Sequence, residues 1–126
     1  MAKKVGEIDE HVISIFNLSI KPDTPIFLGE TNVRHMIQKH PEDYAKYGDK
    51  IEEILNNPDY VAKHPRKDSI EYIKKYYDYR KQDYVLVAVR ASASGNYYVR
   101  TIFVMNPIKV KKYKEKGALK EYPGKK

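Results

Sequence analysis

Tyr84-Val85-Leu86-Val87-Ala88-Val89-Arg90-Ala91 leads through Ser92-Ala93-Ser94-Gly95-Asn96 into Tyr97-Tyr98-Val99-Arg100-Thr101-Ile102-Phe103-Val104-Met105, and this stretch decides the fold. β-branched and aromatic side chains fill both runs, and small polar residues with one glycine separate them, which is the pattern of a β-hairpin. With Gly95-Asn96 as a two-residue turn, Ser94 faces Tyr97 and Arg90 lies opposite Thr101. One face then carries Tyr84, Leu86, Ala88, Arg90, Ser92, Tyr97, Thr101 and Phe103, while Val85, Val87, Val89, Arg100, Ile102 and Val104 lie on the other. The valine-rich face is the one to be covered. A longer loop would shift the pairing and take Thr101 from Arg90.

Working outward, Tyr60–Lys63 and Ile70–Tyr77 read as two further strands, although Ile70, Ile73 and Tyr77 also fit a helix. Upstream, Val33, Met36, Ile37 and His40 recur at helical spacing, with Thr31 or Asn32 as the cap and Pro41 as the stop. Asp49 caps a second helix carrying Ile51, Ile54 and Leu55, which closes at Asn56-Asn57-Pro58. Val12–Leu18 fits a helix or a strand equally, Lys21-Pro22-Asp23-Thr24-Pro25 breaks any helix, and Ile26-Phe27-Leu28 reads as a short strand. The expectation is an α+β domain: two short helices followed by a four-stranded antiparallel β-sheet, with the helices on one face and the other face open.

The 126 residues suit one core. Residues 1–25 read as an N-terminal extension, 26–108 as the α+β domain and 109–126 as a lysine-rich C-terminal tail. Residues 1–62 carry a formal charge of −4, 63–108 carry +5 and 109–126 carry +6, making up the net +7. Cysteine is absent, which excludes disulfides, thiolate metal sites and cysteine nucleophiles. No secretory signal or run of about 20 apolar residues occurs, so the expectation is a cytoplasmic protein with no membrane partner. Tyrosine appears 12 times against 3 Phe and no Trp, an aromatic surface suited to water and polar partners.

There is no P-loop, no dinucleotide glycine fingerprint, no His-Glu-x-x-His and no Gly-x-Ser-x-Gly. Of the four histidines only His35 and His40 share an element, and five residues of helix turn them apart by about 140°, so they do not converge on a metal. No metal and no cofactor is expected. His40 falls on the apolar helix face, where the reading of a partly buried histidine closing the helix is favoured; His35 is off that face, beside Arg34, and reads equally as plain surface or as a group for proton transfer. Arg90, inside an apolar strand, must reach water, a partner or an anion. Ser92, Ser94, Tyr97, Arg100 and Thr101 would join it in offering donors to a phosphate. His64-Pro65-Arg66-Lys67 and Tyr72–Lys81 interleave basic and aromatic residues, as nucleic-acid surfaces and solvated tyrosine-rich sheets both do.

In this order, Ile26-Phe27-Leu28, Arg34-His35-Met36-Ile37-Gln38-Lys39-His40-Pro41, Ile51-Glu52-Glu53-Ile54-Leu55-Asn56-Asn57-Pro58-Asp59 and Arg100-Thr101 resemble the phage-associated barnase, EndoU, colicin and RelE-like nucleases over residues 26–105. The resemblance implies a small α+β domain and a metal-independent endoribonuclease cleaving RNA by 2′-hydroxyl transesterification. RNA, tRNA included, is the implied partner, together with a cognate inhibitor protein. His35 and His40 match the family's histidine pair, Pro58-Asp59 its helix-closing motif and Thr101 its strand threonine. Arg90 rests on the register alone. The catalytic set expected is His35, His40, Arg90 and Thr101, with Arg34, Lys39, Ser92, Tyr97 and Arg100 holding substrate. A non-catalytic nucleic-acid-binding module and a phage structural or interaction protein on the same fold are the alternatives.

Overall fold

The computed structural model describes residues 2–123. Its elements are β1 (Lys3–Ile8), α1 (Glu10–Phe16), β2 (Thr24–Leu28), α2 (Glu30–Lys39), α3 (Pro41–Tyr47), a 3₁₀ turn (Gly48–Lys50), α4 (Ile51–Asn56), β3 (Tyr60–Lys63), β4 (Ser69–Asp78), β5 (Lys81–Ala91), β6 (Tyr97–Val104), α5 (Pro107–Glu115) and β7 (Lys120–Glu121). The strands form one mixed sheet in the order β1-β2-β6-β5-β4-β3-β7, strongly curled into a half-barrel. The α+β class stands, but the sheet has seven strands and not four. The expected β3-β4-β5-β6 meander is its centre, and β2 joins β6 in parallel.

Short polar elements account for the difference. Asp9 caps α1 by accepting from the Val12 N–H at 3.0 Å, which settles Val12–Phe16 as helical, with Asn17 closing the helix in the left-handed conformation and Leu18 beyond it. Pro41 stops α2 and also opens α3 as its first residue, because a missing N–H costs nothing there. Neither Thr31 nor Asn32 stands at the helix cap; Gly29 does, and the Asn32 amide oxygen accepts from its N–H at 2.9 Å. Asp49 likewise lies within the 3₁₀ turn that precedes α4.

Two changes of parity alter the hairpin. The Ser92 N–H donates to the Asn96 carbonyl at 2.8 Å and the Gly95 N–H to Ser92 at 3.0 Å, with Gly95 at φ 89°. Ala93-Ser94-Gly95 is therefore a three-residue loop closed by a left-handed glycine, and Arg90 pairs with Tyr98, not with Thr101. The ladder then slips between Ala88 and Val89, leaving Arg100 as the extra residue of a bulge, so Ala88 pairs with Thr101. Because the second slip restores parity, Thr101 and Phe103 still share a face with Leu86, Ala88 and Arg90. Tyr98 takes the place on that face expected for Tyr97.

Both faces are packed. The first core gathers Val85, Val87, Val89, Val99 and Ile102 against Val12, Met36, Ile51, Ile54 and Leu55. Val99 and Ile102, three apart, meet the same core because of the bulge. The second core sets Ala62, Ile73, Leu86, Ala88 and Met105 against Val110 and Tyr113 of α5, with Ala118 and Leu119 beside them. The face expected to be open is thus covered along part of its length by the lysine-rich end, and β7 adds a short pairing to β3. At the other end of the chain, β1 pairs with β2 and Ile8 is fully buried.

Candidate functional site

The second sheet face can be followed in rows, because cross-strand partners share a face. One row runs Ala62, Glu71, Ala88, Thr101, and the next runs Tyr60, Ile73, Leu86, Phe103. Beyond them lies Ser69, Arg90, Tyr98, with the Tyr98 ring 5.9 Å from that of Phe27 on β2. α5 lies over the apolar rows and leaves the Arg90 row at the margin. Arg90 is half-buried, as an arginine must be that leaves a core strand for solvent.

β2 pairs only with Tyr97 and Tyr98 of β6, so the remaining backbone on that side is left to the helices. The Val104 N–H donates to the Asp43 carboxylate at 3.0 Å, and α2 packs along β6. Where the N-terminal turn of α2 meets the bulge, a pocket of about 500 Å³ opens, lined by Asn32, Arg34, Ser92, Tyr98 and Arg100, with Glu30 at its side. Three residues expected to hold substrate, Arg34, Ser92 and Arg100, meet here. The Ser92 and Ser94 hydroxyls are 2.7 Å apart at its edge. Two guanidinium groups and a serine suit a phosphodiester, since the guanidinium fork matches the phosphate oxygens bidentately.

The other expected residues are dispersed. Thr101 sits one row away, and His40 closes α2 with its ring 5.4 Å from Phe103, two residues beyond Thr101 on the same face. His35 and Lys39 are exposed on α2; His35 lies about 100° around the helix from Arg34 and does not line the pocket. Tyr97 packs against the first core, where burial raises its phenol pKa. Asp59 is structural: its carboxylate accepts from the Lys75 N–H at 2.7 Å and ties β3 to β4.

Glu71 went unread in the sequence. It is 3% exposed at the centre of the second face and accepts from the Tyr113 hydroxyl at 2.8 Å. Burial, then this bond, holds the Tyr113 phenol protonated and hence a donor. A carboxylate between Ile70 and Tyr72 is the same signal that singled out Arg90, a charge inside an apolar strand. Tyr98 was missed because its side of the strand depended on the loop.

Among the described residues no three His, Asp or Glu side chains come together as a metal site, and no helix is long and apolar enough to cross a membrane. No curated protein and no solved structure matches the chain significantly. A family model does, that of the phage-Barnase-EndoU-ColicinE5/D-RelE like nuclease 3, over residues 3–112. The match includes β1 and α1 as well as most of α5. A nucleic acid is the substrate that such a family implies. By a match over most of its length, the chain belongs to this phage-associated nuclease family.

Proposed function

We propose that the protein is a metal-independent endoribonuclease whose site is the uncovered margin of the second sheet face. The observation that carries this reading is the convergence of Arg34, Ser92 and Arg100 on one pocket, with Arg90 and Thr101 on the adjoining rows. The RNA 2′-oxygen attacks the adjacent phosphorus, the bond to the 5′-oxygen breaks, and the 2′-hydroxyl proton is removed as another is given to the leaving oxygen. The products are a 2′,3′-cyclic phosphate and a 5′-hydroxyl. Arg90 and Arg100 stabilise the charge that builds on the phosphorane, and Thr101 donates to a phosphate oxygen. His40 is assigned to proton transfer; what supports this is its ring 5.4 Å from that of Phe103, two residues along β6 from Thr101. His35 can act only on RNA that runs along the exposed side of α2. A cognate inhibitor would meet the same basic margin.

The test is incubation with oligoribonucleotides and tRNA in EDTA, followed by end-group analysis. Cleavage should persist, leave a cyclic phosphate and stop when a single 2′-deoxy nucleotide occupies the cleaved position. Arg100→Ala should lower kcat by about 10²- to 10³-fold, and His40→Ala should lower it similarly. A loss confined to His35→Ala would transfer the proton role to His35. Binding without cleavage would identify a non-catalytic module, and dependence on a divalent ion would overturn the mechanism.

A further inference from the structure

A second pocket, of about 320 Å³, lies between the β3–β4 loop and α5 and is lined by Lys63, His64, Arg66, Lys109, Lys112 and Lys116. No carboxylate lines it. Asp68 pairs with Lys63 at 2.9 Å and Glu71 is held by Tyr113, whereas Arg66, Lys109, Lys112 and Lys116 have no ion-pair partner among the described residues. Cations near a helix C-terminus are favoured by the helix dipole, which accounts for Lys112 and Lys116 by themselves. It does not account for Arg66, brought against them from another part of the chain. Like charges gathered without a counter-charge repel, and an anion relieves that repulsion.

His64 adds direction. Its Nδ1 accepts from the Arg66 N–H at 3.1 Å and the Lys67 N–H at 3.0 Å, so the ring proton resides on Nε2 as a donor. The pocket also adjoins the row that leads to the proposed active margin. The His64 N–H bonds the Ser69 carbonyl at 3.1 Å, and Ser69, Arg90 and Tyr98 form the row that ends at the Arg34–Arg100 pocket. From β3 to β6 this is three strand spacings, about 14 Å, a span of a few nucleotides.

We propose that this pocket binds backbone phosphates of single-stranded RNA a few nucleotides from the cleaved bond. The choice of RNA as the polyanion rests on the ribonuclease reading; the anion site itself does not. Lys, Arg and an imidazole N–H recognise phosphate and not base edges, so the contact is indifferent to sequence and sensitive to salt.

The experiment measures binding of a short, uncleavable 2′-O-methyl oligoribonucleotide across a salt titration. It compares the native chain, Lys112→Ala/Lys116→Ala, and a control of equal charge removed elsewhere, Lys21→Ala/Lys111→Ala. All four lysines are exposed, and equal thermal melting would establish that the variants fold. The pocket variant should bind about tenfold more weakly, with a salt slope smaller by about 1.4 for two lost phosphate contacts on a single strand. The control should retain most of both. Equal losses in the two variants would reduce the pocket to bulk charge and overturn the proposal. Competition by inorganic phosphate as effective as that by the oligomer would also overturn it, in favour of a free-phosphate site. Pocket-specific loss in a protein that cleaves no RNA would keep the proposal and remove the ribonuclease reading; cleavage with equal losses would do the reverse.

Discussion

Two buried carboxylates, one on each face of the central strands, show how differently the faces are built. Asp83, in line with Val85 and Val87, accepts from Tyr47 at 2.7 Å and from Lys46 at 3.3 Å, with Lys81 nearby and Asp78 also held by Lys46. Glu71, on the opposite face, accepts from Tyr113 at 2.8 Å and forms no ion pair among the described residues. The first face pairs the Asp83 carboxylate with Lys46 and Lys81. The second leaves Arg66, Lys109, Lys112 and Lys116 without an ion-pair partner among the described residues. The larger core lies on the first face, and the polyanion contacts proposed above lie on the second.

The comparison breaks most visibly if a first-face deletion disturbs the chemistry. Ile54 is fully buried between α4 and the sheet. Ile54→Ala should cost about 2–5 kcal/mol in a urea titration, the lost transfer energy plus the cavity. RNA cleavage measured well below the melting temperature should keep the native rate per folded molecule. A rate that fell with stability would mean that the helical layer positions the site.

Ile54 was also among the legible residues, and the contrast with Arg100 explains what could be read. Helical spacing of apolar side chains identified α2 and α4, and β-branched alternation identified the central hairpin, because burial imposes those periods on the sequence. β1, α3 and β7 were not legible. Pro41-Glu42-Asp43-Tyr44-Ala45-Lys46-Tyr47 has one buried side chain, Tyr47, and so no apolar stripe. Lys120-Glu121 is exposed throughout and is a strand only through its pairing with β3. The choice of Arg34, Ser92 and Arg100 came from residue type, but their meeting depends on a bulge that no periodicity announces. The lysine-rich end was weighed by its charge, while Val110, Tyr113 and Leu119, which pack it onto the sheet, are too widely spaced to stand out. Truncation at residue 114 would therefore remove packing as well as charge, and single lysine substitutions are the cleaner probe.

The carboxylate contrast itself is sharpened by acid titration. Burial would raise the Asp83 pKa, but the Tyr47 and Lys46 hydrogen bonds outweigh it and hold the group below its ordinary 3.8. A carboxyl with a lowered folded pKa contributes stability above its unfolded value and loses that contribution as pH falls through the folded one. Asp83→Asn should thus cost about 2 kcal/mol at neutral pH, as charge-assisted bonds are lost, and the difference from the native chain should shrink below pH 3.8. Glu71→Gln retains an acceptor for Tyr113 and should cost less than about 1 kcal/mol. Urea midpoints across pH measure both. Equal costs at neutral pH would show that the two faces do not differ in the way their charges are held.

The smallest expected effect concerns a hydroxyl. Tyr72 is 1% exposed in the first core, and its oxygen has no hydrogen-bond partner among the described residues. Burial holds its phenol protonated far above the ordinary range, with Asp9 and Tyr122 adding negative potential nearby. A buried hydroxyl without a partner keeps its desolvation cost and gains no bond in return. Tyr72→Phe should therefore leave stability unchanged or raise it by up to about 1 kcal/mol. Across the sheet Tyr113→Phe removes a donor from a buried carboxylate and should lower stability by about 1–3 kcal/mol. Opposite signs for the same chemical change would show that the Tyr113 hydroxyl, unlike that of Tyr72, is held by a buried partner. A clear loss of stability in Tyr72→Phe would mean that its hydroxyl is bonded in solution.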